Sequence, residues 1–253
     1  MSRRARSRPR MNRLIVTLAV FLATTLIGPA RAVDAPESAL ALLQAGVKAL
    51  AWSPYRLQFE LVTHDPSGEI RRLTGTAVSR PFPDAPSSYH VEARLTGPEG
   101  LDVTFEVASE SGRVNVLDNA VATLWFGPSE PDGESLAELY LGELLPLVLD
   151  ASKLAVVTGF HAEFGGKVRG NDVLCQEVVQ PTSDGGSWSY SFDPWQHFPC
   201  QFTRSLPAGT PPKQSVLTIL EMQQVFALKP GELTIHGADS AESRPFRTTP
   251  GSQ

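Results

Sequence analysis

Asp193 to Phe202, DPWQHFPCQF, gathers a carboxylate, an imidazole, a thiol and three aromatic rings within ten residues. Such a set could serve acid–base, nucleophilic or metal chemistry, but each of these needs partners at defined spacing. The five histidines, His64, His90, His161, His197 and His236, form neither HxH nor HExxH, so no metal-ligand spacing is present. His90 falls on the polar side of an alternating run and reads as a solvated residue, while His64 opens a turn. The nearest approach to a serine-hydrolase elbow, Gly127-Pro128-Ser129-Glu130-Pro131, lacks the second glycine. Gly165-Gly166-Lys167-Val168 has valine where a phosphate-binding loop needs serine or threonine. Carboxylate pairs such as Glu106 and Glu110, or Glu134 and Glu138, are what an acidic surface supplies without any function. The chain therefore reads as a non-enzyme without metal or cofactor, and a hydrolase assembled from distant residues ranks last among its functions.

Without a catalytic role, the decapeptide reads as a turn between two strands. Asp193-Pro194 is a strong turn starter, because proline fixes φ and the aspartate can bond the backbone ahead of it. This places His197 at the exposed tip and turns Phe198, Cys200 and Phe202 toward the core. Pairing Asp193 with Pro199 sets Cys200 opposite Phe192, and pairing Gln180 with Ser187 sets Cys175 opposite the same phenylalanine. In that register the two cysteines lie two strand spacings apart, roughly 10 Å, whereas a disulfide requires less than about 7 Å. An exported protein with two cysteines usually pairs them. Whether Cys175 and Cys200 bond is thus a direct test of the strand register.

The surrounding elements follow from periodicity. Pro36 to Leu50 carries Leu40, Leu43, Val47 and Leu50 at helical spacing, with Glu37 in the first turn. The period then changes to two. Tyr55, Leu57, Phe59 and Leu61 alternate with polar residues, as do Tyr89, Val91, Ala93 and Leu95, and then Leu101, Val103, Phe105 and Val107. Turn signals separate these runs, and Arg113 to Leu117 and Val121 to Phe126 continue the meander. Ser135 to Asp150 returns to helical spacing, with Ser135 and Glu138 as a capping box and a break at Leu145-Pro146. Strands resume from Val156 to Val168, with a bulge at Gly165-Gly166, and continue through Val173 to Gln180, Ser187 to Asp193, Cys200 to Leu206 and Ser215 to Met222. A sheet this long must curl or close. The expected fold is mainly antiparallel β with a few helices, a strongly curved sheet or incomplete barrel covered by those helices.

The first thirty-two residues hold seven arginines and no acidic residue, with an apolar run from Leu14 to Ile27, the break Gly28-Pro29 and the small residues Ala30-Arg31-Ala32. That is a cleaved signal peptide, residues 1–32, and it directs the protein to the periplasm. Met11 offers an alternative start. The run is shorter than the roughly 20 residues needed to span a bilayer, so no stable membrane insertion is expected after cleavage. The expected mature domain covers residues 33–243, followed by a disordered tail, 244–253. Removing the leader leaves fifteen basic residues against twenty-seven acidic ones, a net charge of −12. Nucleic acid is excluded as a partner on that ground.

The inward sets Leu57, Phe59, Leu61, Val91, Leu95, Val103, Phe105, Trp188, Tyr190 and Phe192 form one wide apolar face, and a concave face of this kind suits a lipid or acyl chain. GKVRGNDVLC, Gly166 to Cys175, and WSYSFDPWQHFPCQF, Trp188 to Phe202, resemble the strand, turn and aromatic Asp-Pro pattern of the periplasmic outer-membrane lipoprotein carriers, the LolA and LolB type. The likeness is nearest to uncharacterised predicted periplasmic members of that superfamily, and the order of elements over residues 37–226 agrees with it. The resemblance implies an incomplete β-barrel with a helical lid and a hydrophobic cavity for lipoprotein acyl chains, without catalysis. The leading expectation is a periplasmic carrier of a lipid or lipidated protein; the alternative is an envelope interaction or sensor module of the same fold. Ligand identity and oligomeric state are not encoded legibly.

Overall fold

Ser38 opens the first helix, its hydroxyl accepting the Ala41 N–H at 3.1 Å, and α1 then runs Ala39–Trp52. The computed structural model describes residues 38–64, 67–82, 85–128, 134–157, 161–170, 173–207 and 214–246. These all belong to one unit, Pro36–Gln253. The expected signal peptide lies outside the described residues, as does the tail beyond residue 246.

Six strands follow α1 as a meander: β1 Tyr55–His64, β2 Ile70–Phe82, β3 Ala85–Thr96, β4 Asp102–Glu110, β5 Arg113–Asp118 and β6 Thr123–Pro128. Three short helices come next, α2 Glu134–Leu141, α3 Leu144–Leu149 and α4 Ala151–Val157. A second meander comprises β7 Glu163–Gly170, β8 Val173–Pro181, β9 Ser187–Phe192, β10 Pro199–Ser205 and β11 Gln214–Gln224, and β12 Glu242–Pro245 closes the order. All twelve strands form one open sheet in the order β12-β6-β5-β4-β3-β2-β1-β11-β10-β9-β8-β7. The two meanders join where β1 pairs antiparallel with β11. Among the described strands only β12 is parallel to its neighbour, β6. The sheet is rolled: Cα atoms of β7 come within 8 Å of β10 and β11, which on a flat sheet would stand roughly 14 and 19 Å away.

One hydrophobic cluster unites sheet and helices. Leu42, Leu43 and Leu50 of α1, Leu136 and Leu141 of α2, Leu144, Leu145 and Val148 of α3 and Leu154 of α4 are buried with Phe59, Val91, Phe105, Tyr190 and Phe192. Each such side chain contributes about 1.5–3 kcal/mol by leaving water. Contact is close where the residues are small. A side-chain carbon at Gly46 of α1 would collide with the Phe192 ring, so that helix rests directly on β9. The Ser79 hydroxyl of β2 donates to the Leu149 carbonyl at 2.6 Å, and the Tyr55 hydroxyl donates to the Val148 carbonyl. These bonds satisfy two carbonyls that the end of α3 leaves without helical partners.

Several sequence expectations are corrected. Strand β2 has no counterpart among the expected strands, because its inward positions include Gly75, Ala77 and Ser79 rather than large apolar residues, which erases the alternation. Ser135 lies inside α2 and not at its cap. The helices break at Gly142, whose φ of +69° ends α2, rather than at Leu145-Pro146. Pro146 sits in the first turn of α3, where its missing N–H costs nothing. Residues to Val157 are helical, not the start of a strand, because buried Asp150 caps α4 by accepting from the Ser152 N–H at 3.0 Å and the Ser152 hydroxyl at 2.7 Å. At the C-terminus, Arg244 and Pro245 pair with Trp125 and Phe126, so the sheet extends past residue 243.

Candidate functional site

The turn around His197 is organised by Asp193. One carboxylate oxygen accepts the Trp195 N–H at 2.7 Å and the Gln196 N–H at 3.1 Å, and the Asp193 carbonyl accepts the His197 N–H at 2.8 Å. The exposed tip is Trp195-Gln196, not His197, which is half-buried with a left-handed φ of +62°. Phe198 is also only half-buried, while Cys200 and Phe202 are buried. These bonds, with the Asp193 N–H donating to the Phe198 carbonyl at 2.9 Å, make the stretch a turn in structure as well as in sequence.

The same turn explains the cysteines. Ser187 pairs with Pro181, not Gln180, which moves Gln176 opposite Phe192. On the other side Phe192 pairs with Pro199, and a bulge follows before Gln201 meets Ser191. The expected register is therefore one residue off against β8, whereas against β10 it holds from the Gln201–Ser191 pair onward and slips only at the bulge that contains Cys200. Cys175 lies one residue beyond the Gln176–Phe192 pair, and Cys200 sits in the bulge between Pro199 and Gln201, so both flank the last residue of β9 where the chain leaves the sheet. They form a disulfide with Cα atoms 6.5 Å apart.

The ten residues of the expected ligand face are brought together, but mostly as core. Leu57, Phe59, Val91, Phe105, Tyr190 and Phe192 are sealed from solvent, and Val103 and Trp188 pack half-buried against the same cluster. Leu61, itself buried, and half-buried Leu95 lie at the border of that cluster. They line a cleft of about 570 Å³ between α2 and strands β1, β2, β3 and β11, a volume within the range of roughly 300–1,000 Å³ common to small-ligand sites. Leu73 adds to its sheet wall, Leu139 and Gly142 to its helical wall, and Arg71, Glu138 and Glu143 supply polar groups.

Local chemistry fixes the helical wall. Leu136, Ala137 and Leu141 form the buried side of α2, whereas Leu139 is 70 % exposed on the cleft side. Gly142 is required where it stands, because a side-chain carbon would come 3.0 Å from Leu61 in a left-handed backbone conformation. Tyr140 holds the other flank: its ring meets Phe105 edge-on at 5.0 Å, and its hydroxyl donates to Asp118 at 3.0 Å. Partial burial, reinforced by the Asp118 carboxylate, pushes the Tyr140 phenol up to about 12. Sequence reasoning missed Leu73, Leu139 and Gly142. Leu139 is visible in the sequence only as one apolar residue in an apolar helix, and Leu73 lies in the strand whose alternation is weak.

His90 is a second correction. It projects from the face opposite the helices, yet it is buried, because residues 225–241 cross that face as a strap. Arg56 of β1 pairs with Glu232 of the strap at 2.6 Å, the strap's own Leu233 is buried, and the His236 N–H donates to Glu106 at 3.0 Å. His90 Nε2 lies 3.1 Å from the same Glu106 oxygen.

Among the described residues no helix is long and apolar enough to cross a membrane. No protein-family model matches the chain, and no curated protein matches it. Solved structures are similar to it in fold. An uncharacterised conserved protein from Thermus thermophilus is 11 % identical over 80 % of this chain and 96 % of its own, with a TM-score of 0.49. MucB of Pseudomonas aeruginosa, solved in complex with MucA, is 15 % identical over 79 % of this chain with a TM-score of 0.44, and the match spans 62 % of the MucB structure's length. A LolA superfamily protein from Nitrosomonas europaea is 10 % identical over 78 % of this chain and 98 % of its own, with a TM-score of 0.38.

Proposed function

We propose that the protein is an extracytoplasmic binding or carrier protein that holds the acyl part of a lipid or lipidated protein in the cleft between α2 and the sheet. The observation that carries this reading is the wall formed by Leu61, Leu73, Leu95 and Leu139, in which Leu139 stays exposed although its helix neighbours Leu136 and Leu141 are buried. An acyl chain laid along that wall gains about 0.8 kcal/mol per methylene removed from water. Arg71, Glu138 and Glu143 then meet the polar end of the ligand, as the few polar groups of an apolar pocket commonly do. The helices act as the cover of the rolled sheet, and the basic, apolar leader of residues 1–32 directs the chain out of the cytoplasm. Binding without catalysis is the role we assign to it.

Purification from the native envelope followed by lipid extraction and mass spectrometry tests this reading. An acylated molecule recovered at near one per chain supports it. Recovery of none, together with failure of the delipidated protein to take up a fluorescent fatty acid, overturns it.

A further inference from the structure

On the face opposite the cleft, Glu92 of β3 and Glu106 of β4 are direct cross-strand partners. Like charges in that position repel and destabilise the pairing unless something positive stands between them. His90, one step along β3 on the same face, turns its Nε2 toward Glu106. One ligand atom from each of His90, Glu92 and Glu106 lies within 4.8 Å of the others. The strap brings a fourth candidate, His236, whose ring centroid is 5.9 Å from that of His90 and whose side chain is exposed.

We propose that His90, Glu92 and Glu106 form a divalent-cation site of the zinc class, completed by the His236 imidazole. The donor set of imidazole and carboxylate suits a borderline first-row ion such as zinc. In a tetrahedral site with bonds of about 2.0–2.1 Å, neighbouring ligand atoms stand roughly 3.3 Å apart. The His90 Nε2 and the Glu106 oxygen, at 3.1 Å, already have that separation. Glu92 is the exposed member, free to swing its carboxylate across the remaining gap. The ion would neutralise the opposed glutamates and fasten the strap to β3 and β4 at once. Nothing in this depends on the cleft or on what it carries.

The test is titration of zinc into chelator-treated full-length mature protein, followed by calorimetry and thermal unfolding, with cobalt absorption as a check on coordination. One ion per chain, a raised Tm and slower hydrogen exchange over residues 225–241 are expected. Glu92→Gln and His236→Ala should each weaken binding by about tenfold or more, and His90→Gln should abolish it. His161→Ala, which alters the separate exposed pair His161–Glu163, should leave binding unchanged. If His90→Gln does not fold, Glu92→Gln decides, because that side chain is exposed. Absence of zinc binding to the unaltered protein, or binding that Glu92→Gln and His236→Ala leave intact, overturns the proposal.

Discussion

Cys175 and Cys200 are bonded at the end of β9, beside Gln176 and Pro199, which both pair with Phe192. The bond closes a span of 25 residues containing the whole of β9 and the turn after it. A loop of that size corresponds to about 3 kcal/mol of stabilisation by restriction of the unfolded chain. The double variant Cys175→Ala, Cys200→Ala should therefore lose stability of that order in urea. An unchanged midpoint would show that the turn and the β8–β10 approach hold without the bond.

The Ser79 hydroxyl is buried and serves the Leu149 carbonyl. Ser79→Ala leaves that carbonyl in a dry interior, at a cost of about 1–3 kcal/mol. Tyr55→Phe should behave alike through Val148, because the ring stays and only the donor is lost. Denaturant titration of both variants checks this.

Gly46 and Phe192 should be coupled. Gly46→Ala adds a methyl where the Phe192 ring already stands, and overpacking of this kind costs about 1–3 kcal/mol. Combining it with Phe192→Leu should return part of that loss. A double-mutant cycle showing simple additivity would mean that α1 does not bear on β9.

Alkaline pH should destabilise the fold through its tyrosines. Tyr140 is raised from 10.0 to about 12, first by burial and then by Asp118, and burial also raises Tyr55 and Tyr190. A phenol that is harder to ionise in the folded chain adds stability below its unfolded pKa, and that contribution is lost as pH climbs through the folded value. For Tyr140 the window is pH 10 to about 12. Phenolate absorbance should lag in the folded protein and appear with unfolding, and Tyr140→Phe should remove the corresponding component.

Leu139→Arg places a charge on the apolar wall of the cleft without touching the core, since the residue is 70 % exposed. Binding of a fluorescent fatty acid should weaken by roughly tenfold, while the melting temperature stays near that of the parent.

The strands with strict alternation, such as Tyr55 to Leu61, could be read directly, because a sheet with one buried face imposes a period of two. The strand from Ile70 to Phe82 could not, because Ala77 and Ser79 are small to admit the helices. Asp150 shows the same limit at a helix boundary: the residue that ends one element caps the next, and only the fold reveals which role governs. The apolar face was legible as a set, but not its division into sealed core and open wall. That division depends on where α2 stops, which a single glycine at 142 decides. The cation cluster was illegible because its ligands come from two strands and a strap far apart in sequence.

β12 gives the sheet an unfriendly border. An exposed strand edge offers unpaired backbone groups to any passing chain, and β6 would present such a row if the strap did not return to it. The strand that covers β6 is four residues long, ends in proline and carries Glu242 and Arg244. The opposite border, β7, is interrupted at Gly165 and Gly166 and bears Glu163 and Lys167. Both rims of this open sheet are thus poor templates for strand addition, which lets it stay unclosed without inviting self-assembly into fibrils.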